Sequence, residues 1–248
     1  MFSGAGAHAR SGSFFFFYYS ASMSVLYIVA TPIGNLEDIT LRALRILKEA
    51  EVILCEDTRQ TKKLLERHGI GDKQLTAYNE KKSGVALQKI FGWLAEGKNL
   101  ALVSDAGTPG ISDPGIVLVG EVRKQLPEVS VIPIPGPTAL IAALSASGIP
   151  AADFLFLGFL PHKKGRETLF KEIAGSKRTI IFYESPHRIL KTLHSLSSHL
   201  GSQRVVIARE LTKIHEEFQT DTASNLLAYF TEHPDKVRGE FVVLIEPL

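Results

Sequence analysis

Short apolar runs alternate along this chain with longer segments in which apolar residues recur every three or four positions. Residues 25–30 (VLYIVA) form a continuous apolar run with no in-and-out alternation, as expected of a strand buried on both faces. Further strands are predicted at 51–55, 75–78, 100–103 and 129–134. Helices are predicted between and after them at 40–50, 59–68, 83–96, 116–126 and 138–147. In the first helix Leu41, Leu44, Ile46 and Leu47 fall on one face, with Asp38 or Thr40 as its cap; Thr58 can cap the second, and Gly69 and Gly97 stand just past helix ends. Strands and helices taking turns predict a mostly parallel sheet covered on both faces.

The segment 148–152 reads as a linker, after which the alternation resumes. Strands are predicted at 154–159, 179–183, 205–208, 216–220 and 240–245, and helices at 167–174, 189–200 and 222–231. Ser185 and Pro186 suit the cap and first residue of the helix that follows, which Gly201 ends. The expected organisation is an N-terminal α/β domain over 23–150 and a C-terminal α/β domain over 151–248. Residues 1–22 are expected to be a disordered leader or an overextended start, because Met23, the one methionine besides Met1, stands immediately before the first strand.

Three predicted strands exit into Gly/Pro loops: TPIGN at 31–35, SDAGTPGISDPG at 104–115 and IPGPT at 134–138. In the second of these Gly107, Gly110 and Gly115 permit left-handed backbone or close approach to a ligand, while Pro109 and Pro114 stiffen the chain between them. Ligands of open α/β sheets sit outside the carboxyl ends of strands, so three such loops together predict a crevice. Charged groups also recur at strand ends: Glu56, Asp57 and Arg59; Asp105 and Asp113; Glu184, His187 and Arg188; Arg209, Glu210, Lys213 and Glu216. Each group reads as a solvated loop edge or as the wall of a cleft in which acid/base groups can be tuned.

Composition narrows the classes. Apolar content of 45% and charged content of 22% are those of a globular protein, and the net charge is only +2. The balance is even, with 15 basic and 14 acidic side chains in 1–150 and 13 and 12 in 151–248, so any basic surface must be local. Two local groups stand out. Lys163, Lys164, Arg166, Lys171, Lys177 and Arg178 face only Glu167 and Glu172, and Arg59, Lys62, Lys63 and Arg67 share nearly one helical face. Both patterns suit phosphate contact, and both equally suit a solvated face. The single cysteine, Cys55, excludes an intrachain disulfide and a thiolate-rich zinc site, and its apolar neighbours mark it as a buried small hydrophobe. No run approaches the roughly 18 apolar residues of a membrane span. Phosphate-loop, zinc-protease, serine-elbow and CxxC motifs are absent, and the eight histidines have no ligand spacing, so no metal is expected. A reducing, cytoplasmic setting fits.

With TPIGNLEDIT, CEDTR, SDAGTPGISDPG, PGPTA, GFLP, ESPHR, ARELTK and KVRGEFVVLIE in order, residues 25–248 closely resemble the tetrapyrrole (corrin/porphyrin) methylase family. Within it they are similar to the branch that 2′-O-methylates a cytidine ribose (cytidine 1402) in 16S small-subunit rRNA. The resemblance implies two α/β domains, a mostly parallel first sheet and a mixed second one, S-adenosyl-L-methionine in the cleft between them, and a homodimer. It implies a cofactor border of Pro32, Gly34, Asp105, Gly107, Thr108, Pro109, Ile111, Ser112 and Asp113, then Pro137, Thr138 and Ala139. From the second domain it implies Leu157, Gly158, Phe159, Tyr183, Glu184, Ala208 and Arg209. Relatives commonly carry a small helical module beyond the last strand, whereas this sequence stops at Leu248.

The chemistry so implied is in-line attack of a ribose 2′-hydroxyl on a sulfonium methyl, with alignment as the protein's main contribution. Asp113, Glu184 or Glu210 is the expected general base. Arg59, Lys62, Lys163, Lys164, Arg166, Arg188, Arg209 and Lys213 are expected to hold the phosphates of small-subunit rRNA or an assembling 30S subunit. The ESPHR and CEDTR motifs favour this reading over a porphyrinoid substrate. A reading from another class is a noncatalytic RNA-binding ribosome-assembly factor.

Overall fold

The computed structural model describes residues 24–78, 83–113 and 115–248. The expected leader at 1–22 lies outside them. Five strands, β1 (Val25–Val29), β2 (Val52–Cys55), β3 (Gln74–Ala77), β4 (Leu100–Val103) and β5 (Ser130–Ile134), form a sheet in the order β3-β2-β4-β1-β5. Every pairing in it is parallel. Helices α1 (Leu41–Glu49), α2 (Thr58–Arg67), α3 (Ser83–Ala95) and α4 (Gly115–Gln125) make the crossovers.

Successive side chains of a strand point to opposite faces, and this two-residue period distributes the core. Ile53 and Cys55 of β2 pack with Ala101 and Val103 of β4 under α1 and α2, against Ala43, Ile46, Leu47, Leu64 and Leu65. Val52 and Leu54 pack with Leu100 and Leu102 on the other face, against Ile90, Trp93 and Leu94 of α3 and Leu118 and Val122 of α4. All four residues of β2 and of β4 are therefore buried, which is why these strands read as uninterrupted apolar runs. Cys55 is one of these buried residues, and burial is the main cause pushing its thiol pKa up.

The second sheet has the order β6-β7-β10-β8-β9, from β6 (Phe154–Phe159), β7 (Thr179–Glu184), β8 (Arg204–Arg209), β9 (Glu217–Thr222) and β10 (Phe241–Ile245). Only β6 and β7 run parallel; β10 is antiparallel to β7 and β8, and β9 to β8. Helices α6 (Arg166–Ala174), α7 (Ile189–Leu200) and α8 (Ala223–Glu232) cover one face, around Phe170, Phe182, Leu193, Leu196, Phe230 and Phe241. The opposite face is covered by α5 (Ala139–Ser147), which follows β5 in the chain. Its Leu140, Ala143 and Leu144 pack with Ile33 against Ile181, Val206, Ala208, Val242 and Leu244. The last helix of the first half thus serves as a wall of the second sheet, and one apolar interface joins the two halves.

Helix starts differ from expectation in two places. Asp57, not Thr58, caps α2 by accepting from Arg59 N. Residues 185–188 form a turn before α7, so Arg188 rather than Ser185 takes the cap position. At α1 the cap is Thr40, which accepts from Ala43 N.

Candidate active site

Strands β4, β1 and β5 are adjacent and parallel, so the three Gly/Pro loops leave the sheet side by side. The first two are zipped together. Thr31 N donates to Gly107 O (2.9 Å) and Gly107 N to Thr31 O (3.0 Å), while the Thr31 hydroxyl donates to Ser104 O (3.0 Å). The third joins through Thr108, whose hydroxyl donates to Pro137 O (3.1 Å) and lies 2.6 Å from the Thr138 hydroxyl. Thr108 spends its one proton on the carbonyl, so Thr138 donates to Thr108. Gly107 and Gly110 have φ of +84° and +86°, and Ser112, a residue with a β-carbon, is held at +65°. Asp113 maintains that curve: its Oδ1 accepts from Gly110 N and Gly115 N, both at 2.7 Å.

The loop faces the second sheet across a cavity of about 370 Å³. Ser104, Asp105, Gly107, Thr108, Ile111, Ser112, Asp113, Thr138 and Ala139 line it from the first half, with Ile33 and Glu56. Phe159, Tyr183, Glu184, Ser185, Pro186 and residues 239–242 line it from the second. A register shift between Phe156 and Phe159, with Gly158 at φ +60°, brings Phe159 to the cavity mouth, 57% exposed and edge-on to Tyr183 at 5.5 Å. Such irregularities re-aim side chains beside sites. The Tyr183 hydroxyl accepts from Leu140 N (3.3 Å) at the start of α5, and burial raises its pKa.

Glu56, at the end of β2, stands beside Asp105 and Asp113. Burial, then the negative charges of Asp105 and Asp113, push its pKa up, against a hydrogen bond from the Asp105 backbone. Asp105 itself accepts from Asp57 N (3.0 Å). Among the described residues no group of His, Cys, Asp and Glu is arranged to hold a metal ion.

A model of the tetrapyrrole (corrin/porphyrin) methylases matches residues 25–227. The chain belongs to this family. It is 49% identical over 222 residues to a protein of Halalkalibacterium halodurans named Ribosomal RNA small subunit methyltransferase I, covering 89% of this chain and 75% of that one. It is 46% identical to the Thermotoga maritima protein of the same name, covering 90% and 98%. Among solved structures it is similar to diphthine synthase (TM-score 0.69, 14% identity, 90% of each chain). It is also similar to the cobalt precorrin-4 methyltransferase of cobalamin biosynthesis (TM-score 0.66, 18% identity, 91% of this chain and 96% of that one). At these identities the structural likenesses speak for the methylase fold alone.

The methylase fold brings Asp105, Gly107, Thr108, Ile111, Ser112, Asp113, Thr138, Ala139 and Tyr183 to the cavity wall as a group. Pro32 lines a smaller neighbouring cavity instead. Gly34 packs against the loop after β8, Leu157 against the core under α6 to α8, and Ala208 is wholly buried under α5. Pro109, Pro137 and Gly158 shape the loops without lining the cavity; a β-carbon on Gly158 would come within 3.1 Å of Ser112 Oγ.

The expected bases and phosphate ligands fall in different surroundings. Glu184 contributes to the cavity wall, but its side chain is fully enclosed. It accepts from Arg188 Nε (2.6 Å), the Thr192 hydroxyl (2.6 Å) and Ser185 N (2.8 Å), and lies 3.6 Å from Arg166. Arg188 also donates to Leu160 O and Arg166 to Pro161 O, so both guanidiniums brace the interior. Arg209 is likewise interior, paired with Glu217 at 3.1 Å. Asp113 has one oxygen committed to two backbone amides. Glu210, at φ +52°, accepts from Lys213 (2.8 Å) and Glu240 N (3.1 Å); burial raises its pKa, but these two hydrogen bonds and the charges of Lys213 and Arg209 together outweigh it and the net direction is down. Lys213 bridges Glu210 and Glu240 at 2.8 and 2.9 Å. Arg59, Lys62, Lys163 and Lys164 are exposed, Arg59 beside Asp57 (2.7 Å) and Lys62 beside Glu66 (3.7 Å).

Glu56 lines the cavity without having been expected there, as do Ile33, Ser104, Ser185, Pro186 and residues 239–242. The signal for Glu56 was available: CEDTR ends β2, and the neighbouring strand end carries Asp105. Only the strand order, with β2 beside β4, says that the two carboxylates meet.

Proposed function

We propose that this chain transfers the methyl group of S-adenosyl-L-methionine to the 2′-hydroxyl of a cytidine ribose in small-subunit rRNA. In this reading the two α/β domains, 23–150 and 151–248, form the two walls of the donor site. The observation that carries it is the 46–49% identity, along nine-tenths of the chain, to proteins named Ribosomal RNA small subunit methyltransferase I. The residues present fit the donor. A cavity of about 370 Å³ lies within the range of small-molecule sites. Ile111, Ala139, Phe159 and Tyr183 offer apolar surface, and Asp105 and Asp113 supply negative charge for a sulfonium.

S-adenosyl-L-methionine supplies a carbon already activated for displacement. The chain's own contribution is positional and protolytic. The zipped loops at Thr31, Gly107, Thr108 and Thr138 hold a rigid backbone surface against the second sheet, so the donor site needs little rearrangement to exclude water. Glu56 is the group that would take the proton from O2′ of the ribose. Its raised pKa makes it a stronger proton acceptor than an ordinary carboxylate. Lys163 and Lys164, exposed beyond Phe159, and Arg59 and Lys62 on α2 carry the phosphate attraction in place of the interior arginines. A homodimer belongs to the same reading, with exposed Ile116, Val117, Ile141 and Leu155 as apolar surface for it. So does a cytoplasmic setting; among the described residues no helix is long and apolar enough to cross a membrane.

The test is incubation with unmodified small ribosomal subunits and methyl-labelled donor, followed by mapping of ribose methylation. A single new 2′-O-methylcytidine is expected. Retention of RNA without label would favour an assembly factor, and label transferred only to a porphyrinoid would overturn the substrate.

A further inference from the structure

Beside the donor cavity lies a second one of about 230 Å³, and the two share the wall made by Ser104 and Asp105. Pro32 and Leu36, on the loop after β1, give the second cavity an apolar side. Gln60 and Lys63 face it from α2, three residues apart and so on one helix face. These two side chains differ from their charged neighbours. Arg59 is engaged by Asp57 and Lys62 by Glu66. The Gln60 amide and the Lys63 ammonium have no hydrogen-bond or ion-pair partner among the described residues.

We infer that this smaller cavity is the acceptor subsite, taking one extruded nucleotide with its base between Pro32, Leu36 and Gln60 and its phosphate on Lys63; the inference rests on the RNA reading proposed above. An apolar side suits the face of a base. A primary amide offers both a donor and an acceptor to a base edge, and an ammonium suits a phosphate. The shared wall puts the ribose of such an occupant at Asp105, beside Glu56, where the donor cavity begins. The volume admits a single nucleoside and no paired helix, so the target must leave its stack to enter.

The experiment uses the full chain with unmodified small subunits. Gln60→Trp fills the cavity and Lys63→Glu reverses its cation; both positions are exposed, so folding is not at stake. Each variant is expected to raise KM for the subunit by about tenfold or more, while calorimetric affinity for the methyl donor stays within about twofold. Lys63→Ala should lower the slope of log affinity against log salt by about one, and Lys63→Arg should restore it. Transfer by the unaltered chain with unchanged KM in both variants would overturn this inference alone. Loss of donor affinity along with KM would also overturn it, by assigning the cavity to the donor. No transfer by the unaltered chain would overturn the RNA reading and this inference with it.

Discussion

Replacing Glu184 by alanine separates scaffold from catalysis. Its carboxylate has no exposed side-chain surface and lies within 3.6 Å of Arg166 and 2.6 Å of Arg188, whose side chains are only 10% and 15% exposed. Removing it leaves two enclosed cations without their carboxylate, together with the Thr192 hydroxyl and the Ser185 amide. Breaking a buried pair from one side costs about 3–5 kcal/mol, because the remaining charge stays desolvated. Both guanidiniums keep another acceptor, Pro161 O for Arg166 and Leu160 O for Arg188, so a loss near about 3 kcal/mol is expected. That is a large share of a typical domain's stability of about 5–15 kcal/mol. Urea unfolding followed by far-ultraviolet circular dichroism gives the stability change, and methyl transfer measured on folded variant gives the rest. Turnover per folded molecule should fall by no more than about threefold, a change worth less than about 1 kcal/mol. A variant with unaltered stability and turnover reduced a hundredfold would refute the scaffold role and return Glu184 to the chemistry.

Glu56→Gln should lower turnover by about a hundredfold or more without changing donor affinity, the usual scale for loss of a positioned base. Because its pKa is raised and the ionised form is the active one, turnover should fall as pH drops through that raised value. Asp105→Asn, which removes one cause of the shift, should move the acid limb to lower pH. At Glu217 burial raises the pKa, but hydrogen bonds from Lys236, Tyr229, Gln219 and Arg209 outweigh it and hold the group at about 2, below its ordinary 4.5. Its contribution to stability is complete above the ordinary value and is lost as pH falls toward 2; Glu217→Gln should flatten the stability curve over that interval in acid titrations followed by circular dichroism. Gly34→Ala would place a β-carbon 2.5 Å from Lys213 Cγ, 2.8 Å from Thr212 Oγ1 and 3.0 Å from Leu211 O. Overpacking of about 1–3 kcal/mol is expected. Since this contact joins the two halves, donor affinity measured by calorimetry should fall with stability, and Lys213→Ala should recover part of both.

The amino-acid pattern by itself determined the order of strands and helices, both α/β halves and the loop at 104–115, because burial on two faces and backbone restriction by glycine and proline are local demands written into local residues. It also carried the family likeness. What it left undecided was which charges are inside. Glu184, Arg166, Arg188 and Arg209 look like solvated strand ends in the chain; α6 and α7 enclose the first three, and Glu217 across the β8–β9 pair claims the fourth. Their partners lie 4 to 18 residues away in the chain, and desolvation depends on what packs over a group rather than on what precedes it. Glu56 shows the converse. CEDTR marks it as one more charged strand end, and only the placing of β2 next to β4 sets it beside Asp105, whose charge adds to burial in raising its proton affinity. Likewise α5 could be predicted as a helix, but that it would wall the second sheet was settled by tertiary packing, where apolar area is buried by whichever surface reaches it.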